Sequence, residues 1–120
     1  MKDPTDAVLR MLTQRAANSV VVGSSRDEFS LASAAKIADA WEAADGVVLD
    51  VVDWPEHAAS WLRQARRFLA GGPDAWVVIT DSPTGWLQLT RRLDSTTWDP
   101  ARTIVVEASQ RRVSRVSWLA

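Results

Sequence analysis

The stretch Ala75-Trp76-Val77-Val78-Ile79-Thr80-Asp81-Ser82-Pro83 reads as a strand followed at once by the start of a helix. The run from Ala75 to Thr80 has no polar alternation, which is the pattern of a strand covered on both faces. Ser82 and Pro83 then form a cap and first-turn pair, because proline lacks the N–H that the first helical turn leaves unbonded anyway. A covered strand joined this tightly to a helix is the repeating unit of a parallel sheet.

Working outward, the same unit recurs. Upstream, Val47-Val48-Leu49-Asp50-Val51-Val52 repeats the covered-strand pattern and Pro55 prevents its continuation, while Ser19-Val20-Val21-Val22-Gly23 is the first strand. A helix is predicted over 30–44 from the stripe Leu31, Ala34, Ala35, Ala38 and Trp41, ended by Gly46. Another carries Ala58, Trp61, Leu62, Ala65, Phe68 and Leu69 on one side and Arg63, Arg66 and Arg67 on the other, and Gly71-Gly72-Pro73 stops it. At the start, Asp3-Pro4 opens a helix over 4–17 with Val8, Leu9, Leu12 and Ala16 on one face. Downstream, the helix opened by Ser82 carries Trp86, Leu87, Thr90 and Leu93 and ends near Asp94. A loop with Trp98 and Pro100 leads to a fourth strand, Arg102 to Glu107. The tail Arg112 to Leu119 has Val113 and Val116 at helical spacing but the Val, Ser and Trp content of an edge strand, and strand is the reading taken. The expected fold is therefore α/β: a three-layer, doubly wound domain of the Rossmann or flavodoxin kind, with a mostly parallel sheet of four to five strands. Without repeat, linker or low-complexity tract, residues 1–120 read as one domain.

Composition narrows the function classes. The 120 residues hold 14 basic and 15 acidic side chains and no cysteine, which removes thiol catalysis and thiolate metal sites. No apolar run approaches the length that spans a bilayer, and Met1-Lys2-Asp3-Pro4-Thr5-Asp6 is not a signal-peptide start, so no membrane partner and a cytoplasmic location are expected. The charge is uneven: residues 1–60 carry 5 basic and 10 acidic side chains, and residues 61–120 carry 9 and 5. The basic half holds Arg63, Arg66, Arg67, Arg91, Arg92, Arg102, Arg111, Arg112 and Arg115, without a pattern of interleaved exposed aromatics or of a recognition helix. Nucleic acid is thus not the expected partner.

In doubly wound sheets ligands bind at the carboxyl ends of the strands. That rule selects Ser24, Ser25 and Arg26 after the first strand, Asp53 and Trp54 after the second, Thr80, Asp81 and Ser82 after the third, and Glu107, Ser109 and Gln110 after the fourth. The ligand-binding set expected here is Ser24, Ser25, Arg26, Asp53, Trp54, Asp81 and Ser82. Gly23-Ser24-Ser25 before a helix can cradle an anion with Arg26, or it is an ordinary strand-to-helix turn next to Asp27 and Glu28. Asp53 and Asp81, read as ending neighbouring strands, form either a carboxylate pair for acid/base or Mg²⁺ chemistry, or two loop caps. His57, the lone histidine, is placed beside Glu56 in a first helical turn; pairing it with Ser24 or Ser25 gives a hydrolase without the Gly-x-Ser-x-Gly signature. Of seven tryptophans, Trp41, Trp61 and Trp86 lie on apolar stripes and read as core, whereas Trp54, Trp98 and Trp118 are candidates for a ligand cleft or a subunit interface.

Two resemblances add expectations. Residues 47–56, Val47-Val48-Leu49-Asp50-Val51-Val52-Asp53-Trp54-Pro55-Glu56, together with Thr80, resemble the phosphoacceptor strand and loop of response-regulator receiver domains. This implies Asp50 or Asp53 as acceptor and Thr80 as switch hydroxyl, although Ser24 and Ser25 stand where that family has an acidic pair and no lysine follows Lys36. Over most of the chain, from Val20 to Val106, Asp53-Trp54-Pro55, residues 61–68, residues 73–78 and residues 98–103 are similar to small proteins of the ABC-transporter solute-binding kind. That resemblance implies one lobe of a two-lobed binding fold, which makes half a cleft and completes it by dimerising.

The expected function is a noncatalytic α/β binding or interaction module, a homodimer with a small-molecule ligand and no cofactor. The alternative is a small enzyme or phosphate-dependent switch using Asp53 and Asp81 with Mg²⁺ or a phosphorylated metabolite.

Overall fold

The apolar runs become strands and the apolar stripes become helices that lie across them. The computed structural model describes residues 3–109 and 112–119. Along the chain follow α1 (Thr5–Gln14), β1 (Ser19–Ser25), α2 (Glu28–Ala43), β2 (Val47–Trp54), α3 (Leu62–Leu69), β3 (Ala75–Thr80), α4 (Pro83–Leu93), a short 3-10 turn (Pro100–Arg102), β4 (Thr103–Ser109) and β5 (Arg112–Trp118). The five strands form one sheet in the order β2-β1-β3-β4-β5. All pairings are parallel except β4 with β5, an antiparallel hairpin. The tail is the edge strand expected of it. Gln110 and Arg111, assigned from sequence to the polar rim and the basic half, lie outside the described residues.

Successive strand residues point to opposite faces, so each strand feeds two cores. On one face Val20, Val22, Val77, Ile79, Ile104 and Val106 pack under α1 and α2, through Val8, Leu12, Ala34, Ile37, Ala38 and Trp41. On the other face Val21, Val52, Trp76, Val78 and Val105 pack under α3 and α4, through Ala65, Phe68, Trp86, Leu89 and Leu93. This is the three-layer arrangement anticipated.

Several boundaries and stripes differ from the sequence reading, each for a physical reason. β1 continues through Ser24 and Ser25, which are strand residues and not loop. β2 is not covered on both faces: it is the sheet edge, and Val47, Leu49 and Val51 are exposed. A register shift opposite Val20 and Val21 bulges it at Leu49, a distortion that edge strands commonly carry. In α2 the buried stripe is Ser30, Ala34, Ile37, Ala38 and Trp41, while Leu31 and Ala35 face solvent. In α4 Leu89 is buried and Leu87 exposed. α3 starts only at Leu62, so Ala58, Trp61 and His57 precede it. Gln88 of α4 holds that preceding segment as loop, donating to the Glu56 carbonyl at 3.2 Å and accepting from Trp61 Nε1 at 3.0 Å. No helix among the described residues is long and apolar enough to cross a membrane.

Candidate functional site

The strand order reverses at β1: the chain leaves β1 through α2 on one face and leaves β3 through α4 on the other. Adjacent carboxyl ends whose connections part to opposite faces open a crevice between them. A cleft of about 130 Å³ lies there, lined by Ser25, Arg26 and Asp27 at the end of β1, Trp54, Pro55 and Glu56 at the end of β2, and Asp81, Ser82 and Gly85 at β3 and α4. Ser25, Arg26, Trp54, Asp81 and Ser82 of the expected set are brought together in it. Ser24 and Asp53 are not among its walls.

Ser24 is on the same side of β1 as Val20 and Val22, so its hydroxyl is buried towards α2, without a hydrogen-bond partner among the described residues. Ser25 is on the cleft side. Its hydroxyl donates to Asp27 Oδ1 at 2.5 Å and accepts from the Asp81 amide at 3.2 Å, tying the β1 and β3 ends together. Asp27 caps α2 by accepting from the Ser30 amide at 3.0 Å. Burial pushes its carboxyl up, and the hydrogen bonds from Ser25 and Ser30 outweigh this, leaving its pKa below the ordinary 3.8. With a carboxylate already at its cap and Glu28 in its first turn, α2 has no open end for an anion. The anion cradle read at Gly23-Ser24-Ser25 is therefore closed. α4 differs: it begins at Ser82-Pro83 with no side-chain cap among the described residues and no acidic residue in its first turn.

Trp54 forms the back of the cleft. Two glycines make its slot: a Cβ at Gly23 would lie 2.5 Å from its ring, and one at Gly85 would lie 2.9 Å from Cδ1 and 2.4 Å from the Pro55 carbonyl oxygen. Trp54 is 1% exposed, and its indole N–H is buried with no acceptor among the described residues. It stacks on Trp86 at 5.7 Å, and Trp86 meets Trp98 edge-on at 5.9 Å. Trp54 and Trp98 are thus not an exposed surface pair but members of the α3/α4 core. Trp98 is fixed by Nε1 donating to Thr103 Oγ1 at 2.9 Å. Trp118, half-buried on β5, lies under the Arg15 guanidinium at 4.0 Å.

The carboxylate pair is not assembled. Asp53 ends β2 and Asp81 follows β3, with β1 between them, so the two do not end neighbouring strands. Asp53 instead accepts from Arg26 Nε at 2.7 Å. Among the described residues no group of three or more His, Asp or Glu side chains is arranged as a metal site. His57 is exposed in the loop before α3, with Nδ1 3.5 Å from Gln88 Nε2, and not beside a serine. Of the receiver-like residues, Asp50 lies within β2 and is gripped by Arg67 through two bonds of 2.9 Å, which hold its carboxyl below the usual range. Thr80 donates its hydroxyl to the Ser82 carbonyl at 2.5 Å.

Asp27, Pro55, Glu56 and Gly85 line the cleft without having been selected from sequence. Gly85 carried a readable signal, a glycine in the first turn of a helix, where close backbone approach is a usual reason.

No protein-family model matches the chain, and no curated protein matches it. Solved structures do. An ABC transporter substrate-binding protein from Sphaerobacter thermophilus superposes with TM-score 0.67 at 15% identity, covering 86% of this chain and 29% of its own. A branched-chain amino acid ABC transporter periplasmic ligand-binding protein from Burkholderia xenovorans gives 0.69 at 11% identity, covering 86% and 27%. A structure described as a branched-chain amino acid ABC transporter, from Silicibacter pomeroyi, gives 0.66 at 16%, covering 84% and 27%. The chain spans less than a third of the length of these proteins, and over that span it has the α/β fold of substrate-binding proteins.

Proposed function

We propose that the protein is a noncatalytic binding module that holds the carboxylate end of a small solute in the cleft at the carboxyl ends of β1, β2 and β3. The observation that carries this reading is Trp54, which lines the cleft and whose buried indole N–H has no acceptor among the described residues. A buried donor left unbonded costs about 1–3 kcal/mol, and a ligand oxygen relieves it. The uncapped start of α4 adds backbone donors and the positive end of an 11-residue helix. Arg26, whose Nε is bonded to Asp53, adds a guanidinium, and Asp81 and Glu56 offer carboxylates to an ammonium group, while the Asp27 carboxylate is taken up by Ser25 and Ser30. An α-amino acid meets this distribution of charge, in keeping with the branched-chain amino acid descriptions of two structural neighbours.

A volume of about 130 Å³ is small beside the roughly 300–1,000 Å³ usual for ligand sites. We read the cleft as one wall of a site that a second copy of the chain closes.

Titration calorimetry with acetate, glycine and L-valine tests the reading, alongside sedimentation with and without ligand. At least one of the three binds, and Trp54→Phe weakens that binding about tenfold or more, the worth of a hydrogen bond to a charged group. Arg26→Gln, at an exposed position, serves as a second variant should Trp54→Phe unfold. Absence of binding by all three compounds overturns the reading, and a monomer under saturating ligand removes the second copy from it.

A further inference from the structure

Each parallel pairing in the sheet is reached by a crossover through a helix, whereas β4 turns directly into β5 as a hairpin. The last two strands therefore have no helix of their own on the α4 side. An open groove of about 470 Å³ results, walled by Trp86 of α4, Val105 of β4, and Ser117 and Leu119 at the end of β5. Its volume falls within the range of roughly 300–1,000 Å³ typical of small-molecule sites, whose walls are chiefly apolar. Glu107 and Arg115 also line it, at paired positions of the β4–β5 ladder, and together add no net charge.

The groove is continuous with the cleft. Asp81 lines both, and Ser82 of the cleft is followed directly by Pro83 of the groove. The two differ in size: the groove is more than three times larger, and it sets the apolar Pro83, Trp86, Val105 and Leu119 beside the polar Ser114, Ser117, Glu107 and Arg115. We infer that the groove takes the apolar tail of the solute whose carboxylate end sits in the cleft, so that the ligand class is an amphipathic acid rather than a small polar one. This rests on the reading of the cleft as a carboxylate site. The groove supplies the part that reading lacks, a place for the remainder of the molecule.

A homologous series separates the two claims. Acetate, butanoate, hexanoate and octanoate are titrated into the full chain, with 1-octanol as a tail without a head. Burial of each methylene in an apolar wall tightens binding about fourfold, so affinity climbs along the series until the groove is filled. Ser117→Phe, on the groove floor, and Ser114→Trp, at an exposed edge position lining it, flatten that climb while leaving the binding of the shortest acid that wild type holds unchanged. Either variant alone suffices if the other does not fold. Equal affinity for every chain length overturns the groove assignment and leaves the cleft reading standing. Octanol binding as tightly as octanoate overturns the link between groove and cleft. Failure of every acid to bind overturns both. Self-association at rising concentration, abolished by Ser114→Trp without any dependence on chain length, assigns the groove to a second copy of the chain and overturns the tail site.

Discussion

A methyl group at position 85 would meet the Pro55 carbonyl oxygen at 2.4 Å and Trp54 Cδ1 at 2.9 Å. Alanine within a helix ordinarily gains up to about 1 kcal/mol over glycine, but here neither neighbour has room to retreat, since Trp54 is confined by Gly23 and Trp86. Gly85→Ala is expected to lower stability by about 1–3 kcal/mol, as overpacked cores do, and denaturant unfolding will measure it; a gain would show that Trp54 is loosely held. Asp27 gives a pH-dependent counterpart. Its folded pKa lies below 3.8, so it takes up a proton less readily when folded than when unfolded. Its contribution is therefore complete above that ordinary value and declines as the pH falls through the lower, folded one. Asp27→Ala removes the cap and should cost about 0.5–2 kcal/mol at neutral pH. The gap from wild type should then shrink on acidification below about pH 4, because the wild-type carboxylate loses its charge there; a gap that stays constant through acid would show that charge is not what matters at this cap.

Among the elements, α4 separates what periodicity can tell from what it cannot. Pro83 and the apolar residues that follow announce a helix, yet the spacing alone does not distinguish a stripe centred on Leu87 from one centred on Leu89. The slope of the helix against β3 and β4 decides it, and that is a property of the whole sheet. Leu89→Ala is expected to cost about 2–5 kcal/mol, while Leu87→Ala should stay within about 0.5 kcal/mol, as exposed positions do; thermal unfolding of the pair checks the assignment, and reversed effects would refute it. Ile37 and Leu31 in α2 repeat the case, since the former is fully buried and the latter 39% exposed. β2 shows another limit. Its run from Val47 to Val52 has the composition of a covered strand, and only the order β2-β1-β3-β4-β5 reveals that it lies at the edge. The candidate cleft was legible to the extent that a rule about strand ends selected Ser25, Arg26, Trp54, Asp81 and Ser82. Residues that depend on how a loop is gripped escaped that rule: Pro55 and Glu56 reach the cleft because Gln88 holds their segment short of α3.

At the scale of the whole molecule, the division of charge along the chain becomes a division between layers. α3 and α4 carry Arg63, Arg66, Arg67, Arg91 and Arg92 and no acidic residue, whereas Asp6, Glu28, Asp39 and Glu42 outnumber Arg10 and Lys36 on α1 and α2. Only Arg67 among those five arginines has a carboxylate partner among the described residues. Despite a formal net charge of −1, the protein should be retained on a cation exchanger at pH 7 and low salt through the α3/α4 face, because exposed charges interact over a Debye length of about 10 Å at 0.1 M salt. Replacing Arg63, Arg66 and Arg91 by glutamate should abolish retention, and retention unchanged by that triple substitution would place the attraction elsewhere. The aromatic belt beneath that face has an optical consequence. Trp54 and Trp86 lie 5.7 Å apart and inclined at 24°, near enough for their electronic transitions to mix, so the two indoles absorb as one chromophore. One of them borders the cleft and the other the groove, and a molecule entering either space therefore alters the same near-ultraviolet dichroic signal, which makes the protein its own reporter for both.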